Sequence, residues 1–170
     1  RNVLAAYGLP VIRTETARTE DEASRIGRDM GYPIVMKLLS PDISHKTEAG
    51  GVRLDLRSDA DVRAAFAGIA ASARRYKPGA RIIGVTLQPF FASPDYEILI
   101  GAKRDVHFGP VILFGMGGIF TEVLKDRALG LVPLNRLLTR RMMEQTRAWV
   151  LLQGYRNRPP ADLEHLEEMI

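Results

Sequence analysis

The sequence predicts an α+β protein made of two lobes, and three observations lead to that class. Its 170 residues, 46% of them hydrophobic, are enough to bury a substantial core. Helix-like and strand-like segments follow one another without an internal repeat, and the second half begins with a cluster of strands. A strand end at residues 88–91 and a turn at residues 92–95 separate the two groups. We therefore expect an N-terminal lobe at residues 1–91 and a C-terminal lobe at residues 92–170.

Capping residues mark the helices of the first lobe. Thr19 and Glu22 have the spacing of a capping box, which predicts a helix that ends at Gly31. Ser58 is placed to cap a longer helix, whose first turn contains aspartates and whose apolar residues recur at steps of three and four. A short helix at residues 2–7 is expected to precede both.

Strands of the first lobe are predicted at residues 34–39, 52–56 and 81–91. In the second of these strands, Val52, Leu54 and Leu56 alternate with charged residues. Such alternation predicts one buried face and one solvated face.

The second lobe is expected to contain both strands and helices. Strands are predicted at residues 96–102, 111–114 and 119–124. In the helical segment that follows, one face is formed by Leu138, Met142, Trp149 and Leu152, and a solvated opposite face by Arg136, Arg140 and Arg147. A final helix over residues 162–169 should expose Glu164, Glu167 and Glu168 on its surface.

Composition and charge exclude several functions. The net charge of +4 is small and spread along the chain, which argues against nucleic-acid binding. The absence of cysteine excludes disulfides and thiolate metal sites. No apolar run reaches the roughly 18 residues of a membrane helix, and no signal peptide opens the sequence. We expect a cytoplasmic protein that does not bind membranes. Because the sequence starts at Arg1, we also expect a segment of a longer protein.

The loop between the first two predicted core strands is the strongest candidate site. Lys37 lies within an apolar run, where a cation is costly unless an anion meets it or its amine reaches solvent. His45 and Lys46 precede the pair Gly50 and Gly51, whose backbone can approach a phosphate closely. His45 is either a surface residue or a nucleophile that accepts phosphate. The pattern indicates nucleotide chemistry.

Other candidates remain open. The glycine-rich residues 114–118 lack the Lys-Ser/Thr ending of a P-loop. They predict a strand turn to which another backbone segment or a ligand can come close. Glu97, Glu122 and Asp126 are either metal ligands or surface charges. The remaining histidines, His107 and His165, are expected to face solvent.

Four segments resemble, in the same order, the ATP-grasp domain of NDP-forming acyl-CoA synthetases, relatives of succinyl-CoA synthetase β-subunits. They are residues 40–52 (SPDISHKTEAGGV), 108–118 (FGPVILFGMGG), 122–126 (EVLKD) and 154–158 (GYRNR). The resemblance covers nearly the whole chain. It implies an ATP-grasp fold, in which two α+β lobes clasp a nucleotide, with an incomplete C-terminal part.

The resemblance also implies a role for each candidate residue. Lys37 would contact the ATP phosphates, and His45 would accept a phosphoryl group and pass it to ADP. The other implied nucleotide contacts are a phosphate lid with Lys46, Gly50, Gly51 and Val52, an adenine-reading hinge with Gln88, Pro89, Phe90 and Phe91, and Glu97 on the ribose side.

The implied activity is that of an ADP-forming acid–thiol ligase, acting as part of a larger protein. The reaction would be acyl-CoA + ADP + phosphate ⇌ carboxylate + CoA + ATP. ATP or ADP and Mg²⁺ would be required, with the Mg²⁺ ligands expected beyond Ile170. CoA-binding and CoA-ligase domains, in the same or a partner chain, would be partners, and the full protein is expected to be an oligomer.

A second branch of the family provides an alternative. Residues 126–135 and 140–144 resemble the synthetase-like module that is fused to a GNAT domain in bacterial protein lysine acetyltransferases. In that branch the module would regulate the acetyltransferase. A third interpretation, an inert structural lobe, predicts that no nucleotide binds.

Overall fold

The computed structural model describes residues 2–92, 96–118 and 125–170. The chain divides into two compact units, Arg1–Ala92 and Ser93–Ile170. The first unit contains α1 (Asn2–Ala6), β1 (Glu15–Ala17), α2 (Glu20–Met30), β2 (Ile34–Leu39), β3 (Val52–Leu56), α3 (Asp59–Tyr76) and β4 (Gly84–Pro89). The second contains β5 (Ile98–Asp105), β6 (Gly109–Met116), β7 (Arg127–Leu131), α4 (Arg136–Glu144), α5 (Arg147–Leu152) and α6 (Leu163–Met169).

An antiparallel sheet in the order β1-β4-β2-β3 forms the centre of the first unit. Helices α2 and α3 pack against one face of this sheet, where Ile34, Met36 and Leu38 are buried together with Val62 and Ile69. The alternation of side chains along β2 therefore places Val35 and Lys37 on the other face.

Both predicted long helices of the first unit begin at the predicted caps. The Thr19 side chain accepts a hydrogen bond from the Glu22 amide, and the Ser58 side chain accepts one from the Asp61 amide. The Glu22 carboxylate, however, accepts from the amide of Arg18 at 2.7 Å, one residue before the cap. The capping box is thus present in a shifted form.

The predicted alternation of β3 is interrupted in the structure. Leu54 is 58% exposed, whereas Leu56 is buried. Asp55 has a positive φ of 55°, and the register of β2 with β3 shifts between Ile34 and Met36. An extra residue in one strand of a pair reverses the sheet face to which the following side chains point. This reversal explains why Leu54 points to solvent although Leu56 is buried.

The second unit contains a three-stranded antiparallel sheet in the order β5-β6-β7. Its helices cover one face, and Phe114, Met143 and Leu152 lie at the centre of that core. Strand β7 was not predicted, and the strand predicted at residues 119–124 lies outside the described residues.

The helical segment that the sequence predicts after β7 consists of two helices. Thr146 interrupts it, because its hydroxyl accepts a hydrogen bond from the Trp149 amide and begins α5. Met142 and Leu152 are buried as predicted, but Leu138 is 43% exposed and Thr139 is buried in its place.

The prediction that Glu167 lies on the helix surface is wrong. Its side chain is only 2% exposed and accepts a hydrogen bond of 2.6 Å from Arg140 Nε. Arg136 Nε lies 3.5 Å from the same carboxylate. Two arginines assigned to a solvated face thus join α4 to α6 through a buried acid. The hydrogen bond to Glu167 raises the pKa of Arg140.

Among the helices of the described residues, none has the length and hydropathy needed to span a membrane.

Candidate functional site

Lys37 lies in a row of residues that crosses all four strands of the first sheet. The registers pair Thr16 with Thr86, Thr86 with Lys37, and Lys37 with Val52. These side chains share the face opposite the helices, since the neighbours of Lys37 in β2 point into the core. The Lys37 side chain is therefore presented on the sheet face that the helices leave uncovered.

The start of the loop from residue 40 to residue 51 is held in place by hydrogen bonds. The Ser40 hydroxyl donates to the Arg81 carbonyl at 2.8 Å, and the Asp42 carboxylate accepts from the Arg81 amide at 2.7 Å. Lys77 Nζ donates to the Asp42 carbonyl at 3.0 Å. The apolar side chain of Ile43, which is 3% exposed, joins the core of the first unit.

The end of the same loop is wound into turns and joined to β2. The Ala49 amide donates to the His45 carbonyl at 3.2 Å, and the Gly51 amide donates to the Lys46 carbonyl at 2.7 Å. The Gly51 carbonyl in turn accepts from the Leu38 amide at 2.7 Å. Because both ends are held, His45 and Lys46 are positioned next to the strand that contains Lys37.

These residues surround one open cleft of about 620 Å³. It is lined by Lys37, Ser44, His45, Lys46, Thr47, Glu48 and Val52. Within the described residues, no carboxylate forms an ion pair with Lys37 or Lys46. Glu48, the one acidic lining residue, instead lies with its Oε1 3.6 Å from His45 Nδ1. The lining therefore has an excess of positive charge, which suits an oligophosphate.

The two glycines of the loop are required by its own packing. A Cβ on Gly51 would lie 2.8 Å from Leu38 Cβ and 3.0 Å from the Lys46 carbonyl oxygen. Gly50 has a φ of 63°, and its Cβ would lie 3.2 Å from Ser72 Cβ. The role of these glycines in phosphate approach stays a prediction, alongside this structural requirement.

The predicted adenine hinge lies at the end of β4, on the same unit as the cleft. Gln88 shares a sheet face with Lys37, and its Nε2 donates to Thr14 Oγ1 at 2.8 Å. The Phe90 amide donates to the Pro33 carbonyl at 3.0 Å, and Phe91 is 67% exposed. Pro89 pairs with the first residue of β2. Adenine recognition by these four residues stays a prediction.

Glu97, the predicted ribose contact, belongs to the other unit. Its carbonyl accepts from the Gly117 amide at 2.8 Å, and a Cβ on Gly118 would overlap its carboxylate. Because Gly118 has no side chain, the glycine-rich turn can lie directly against the carboxylate of Glu97. The structure brings the remaining predicted site residues into one unit, and the role of Glu97 stays a prediction.

One of the three open carboxylates, Asp126, has structural surroundings that differ from a metal site. Asp126 accepts from the amides of Arg147 and Ala148 at 2.8 Å each, so it anchors the start of α5. Glu122 lies outside the described residues. In the described ranges, no group of three or more His, Asp or Glu is placed to hold a metal ion.

Sequence reasoning did not single out Glu48 as a residue of this site, nor Thr86 as the neighbour of Lys37 in the sheet. Glu48 follows His45 by three positions, a spacing that one helical turn converts into proximity. Thr86 could not be found in this way, because it meets Lys37 only through the pairing of β4 with β2.

Comparison with known families and proteins agrees with the fold. A model of the ATP-grasp domain matches residues 1–170. The β subunit of acetate–CoA ligase (ADP-forming) II from Pyrococcus furiosus is 40% identical over 170 residues, covering 100% of this chain and 72% of that subunit. The β subunit of its isoenzyme I is 38% identical, with 73% of that subunit covered. A 4-hydroxybutyrate–CoA ligase (ADP-forming) from Nitrosopumilus maritimus is 42% identical, but the chain spans only 24% of it.

Solved structures of acetyl-coenzyme A synthetases also share the fold of this chain. The dinucleotide-forming acetyl-coenzyme A synthetase 1 of Ca. Korarchaeum cryptofilum, in complex with coenzyme A and Ca-AMPCP, has a TM-score of 0.92 at 37% identity, covering 99% of this chain and 73% of that one. The chain belongs to the ATP-grasp domain family, in the group formed by the β subunits of ADP-forming acetate–CoA ligases. The fold class and the resemblance expected from the sequence are confirmed.

Proposed function

We propose that this chain is the nucleotide-binding part of an ADP-forming acyl-CoA ligase, in which His45 exchanges a phosphoryl group with ADP. The observation that supports this most directly is the pair Lys37 and Lys46, which has no carboxylate partner among the described residues and flanks an exposed histidine. Phosphoryl transfer depends mainly on positioning and on neutralising the charge of the phosphates. Both requirements can be met by groups lining this cleft.

Glu48 would orient the nucleophile. Its carboxylate lies beside Nδ1 of His45, so it favours the tautomer with the proton on Nδ1 and a free lone pair on Nε2. In the direction of ATP cleavage, that lone pair attacks the γ-phosphorus and forms an Nε2–P bond. The bond from phosphorus to the bridging oxygen breaks, and its electron pair leaves with ADP. In the reverse direction, a β-phosphate oxygen of ADP attacks phosphohistidine and regenerates neutral imidazole.

The two lysines would act on the phosphates through their charge. Lys37 is half-buried on the sheet and Lys46 is half-buried on the loop, so both ammonium groups can contact phosphate oxygens from different sides. Their charges would offset those of ADP and the transferred group as they approach each other.

The relatives support the rest of the reaction. A structure of the Korarchaeum synthetase, with a TM-score of 0.82 and 33% identity over 99% of this chain and 71% of that one, contains coenzyme A, Mg-AMPPCP and a phosphohistidine segment that points towards the nucleotide-binding site. We infer that the acyl and CoA chemistry occurs on CoA-ligase domains of the same or a partner chain, within a larger oligomer. The relatives described above are ligases and synthetases, and they give no support to the acetyltransferase alternative. A cytoplasmic location stays a prediction.

The test is phosphorylation of the full-length protein with γ-³²P-ATP. Acid-labile label should appear on wild-type protein and disappear in His45→Ala. Matched controls are His107→Ala and His165→Ala, because both histidines are exposed and lie in the second unit. Label that persists in His45→Ala, with nucleotide affinity intact, would contradict the phosphohistidine role.

A further inference from the structure

A second cavity, of about 160 Å³, opens between α3 and the sheet of the first unit. Its apolar lining comes from Leu38, Phe66, Ile69, Ala70, Ile82 and Val85. Two arginines also line it, Arg18 directly after β1 and Arg74 in the last turn of α3. Gly84 completes the lining at the start of β4.

This cavity is separate from the cleft around His45. Leu38, which lines the cavity, follows Lys37 in β2, and consecutive strand residues point to opposite faces. The cavity therefore lies on the helix side of the sheet, whereas Lys37 lies on the uncovered side. No group proposed for phosphoryl transfer lines it.

The two arginines differ from half of the arginines described in the first unit. Carboxylate partners are present for Arg13, Arg25, Arg28, Arg57 and Arg63. Among the described residues, Arg18 and Arg74 have no such partner for their guanidinium groups. The helix dipole accounts for a cation at Arg74, which lies in the last turn of α3. It does not account for Arg18, which lies outside any helix.

The position of Arg18 is well defined by its backbone. Its amide donates to the Glu22 carboxylate at 2.7 Å, and a Cβ on Gly84 would come within 3.0 Å of Arg18 Cα. The strand β4 can pass this close only because Gly84 has no side chain. The backbone of Arg18 is thus fixed beside the cavity, and its guanidinium group remains available to bind an anion.

The dimensions of the cavity limit what can enter it. A volume of 160 Å³ corresponds to roughly five water molecules at about 30 Å³ each. An aliphatic chain of roughly four to six carbons has a comparable volume. An apolar chain would gain from contact with Leu38, Phe66 and Ile82, and a carboxylate would match the planar geometry of a guanidinium.

We propose that this cavity binds a short-chain aliphatic carboxylate, with its chain against the apolar lining and its carboxylate paired with Arg18 and Arg74. The site goes beyond the phosphoryl-transfer function and does not depend on it. It would give the nucleotide-binding part of the protein a means of sensing free carboxylic acid.

Titration of the full chain with pentanoate, followed by amide chemical shifts, tests the proposal. Pentanoate should perturb the amides of Arg18, Ala70, Arg74 and Ile82 with a Kd on the order of 1 mM. Acetate should bind at least about tenfold more weakly, because it lacks three methylene groups. The neutral analogue 1-pentanol should also bind at least about tenfold more weakly, since it lacks the charge. Equal binding of pentanol and pentanoate would overturn the carboxylate assignment.

Three variants and one control variant complete the test. Arg18→Gln and Arg74→Gln should each weaken pentanoate binding about tenfold or more, since each removes a charged hydrogen-bond donor. Arg75→Gln is the matched control, because Arg75 is adjacent in α3 and does not line this cavity. Ala70→Leu should block binding by filling the cavity. If pentanoate fails to bind at about 10 mM, or binds Arg18→Gln and Arg74→Gln as tightly as Arg75→Gln, the proposal is wrong.

Discussion

Tyr32 Oη donates a hydrogen bond of 2.6 Å to Asp59 Oδ1. Tyr32 precedes β2 and Asp59 is the first residue of α3, so this bond joins the strand that contains Lys37 to the helix that covers its sheet. Arg28 of α2 pairs with the same carboxylate. Three elements of the first unit therefore meet at one acidic side chain.

This contact predicts a pH dependence of stability. Burial and the hydrogen bond to Asp59 raise the pKa of Tyr32 to about 12, so its contribution is fully present below pH 10 and is lost as the pH rises towards 12. The hydrogen bond from Tyr32, with help from Arg28, lowers the pKa of Asp59. The contribution of Asp59 is therefore present above its unfolded pKa of about 3.9 and is lost as the pH falls below that value.

The measurement is urea unfolding of wild type and Tyr32→Phe across this pH range. The variant should lose roughly 1 kcal/mol at neutral pH, the usual contribution of one intramolecular hydrogen bond. Its loss of stability towards pH 12 should be smaller than that of wild type. Tyr7→Phe is the control, since Tyr7 is 83% exposed. An unchanged alkaline limb in Tyr32→Phe would contradict the assignment.

The fold could be predicted where local signals were strong. Strands β2 and β3 have the bounds that the apolar runs predicted, and Thr19 and Ser58 cap their helices as expected. Strand β1 has only three residues and no apolar alternation, so no local sequence pattern predicted it. It exists because β4 pairs with it, a contact formed 70 positions along the chain between Thr16 and Thr86.

The site was predictable to a similar degree. Lys37 was selected from a strand, and His45 and Lys46 from the loop that follows it, and the structure places all three around one cleft. The burial of Glu167 was not predictable, because its partner Arg140 is 27 positions away and belongs to another helix. Spacing alone cannot distinguish such an acid from an exposed one.

Replacement of Lys37 should weaken nucleotide binding with little effect on folding. Lys37→Met keeps the apolar stem and removes the charge, so we expect ADP affinity to fall between about tenfold and a hundredfold. Isothermal calorimetry on the full-length protein gives the affinity, and thermal unfolding gives the stability. Lys103→Met, on the exposed part of β5, is the control. A large drop in Tm with unchanged affinity would assign Lys37 a structural role instead.

Substitution of Gly51 should destabilise the first unit even before nucleotide is added. A Cβ there would lie 2.8 Å from Leu38 Cβ, so Gly51→Ala should cost about 1–3 kcal/mol and Gly51→Val more. Gly101→Ala in β5 is the matched control, since its Cβ would meet nothing within 4 Å. Urea unfolding compares the two. Equal stability of Gly51→Ala and Gly101→Ala would mean that the loop relaxes around the new methyl group.

Neutralising Glu167 should destabilise the second unit. Glu167→Gln leaves Arg140 and Arg136 beside an uncharged, buried amide, whereas Glu168→Gln removes a carboxylate that is 65% exposed. Loss of one partner of a buried pair is costly, and loss of a surface partner is not. Thermal unfolding should therefore show a clearly lower Tm for Glu167→Gln than for Glu168→Gln. Equal Tm values would indicate that the buried pair contributes no net stability.

Glu48 should affect the rate of His45 phosphorylation and leave nucleotide binding unchanged. Its carboxylate is 67% exposed and 3.6 Å from Nδ1, so its orienting effect is modest, and we expect Glu48→Gln to slow labelling by roughly tenfold. Calorimetry with ADP distinguishes this role from a structural one, because a disordered loop would also weaken nucleotide binding. Glu144→Gln, an exposed acid of the second unit, is the control. A slower rate together with weaker ADP binding would leave Glu48 as a packing residue of the loop, and His45 would then select its tautomer without help from a carboxylate.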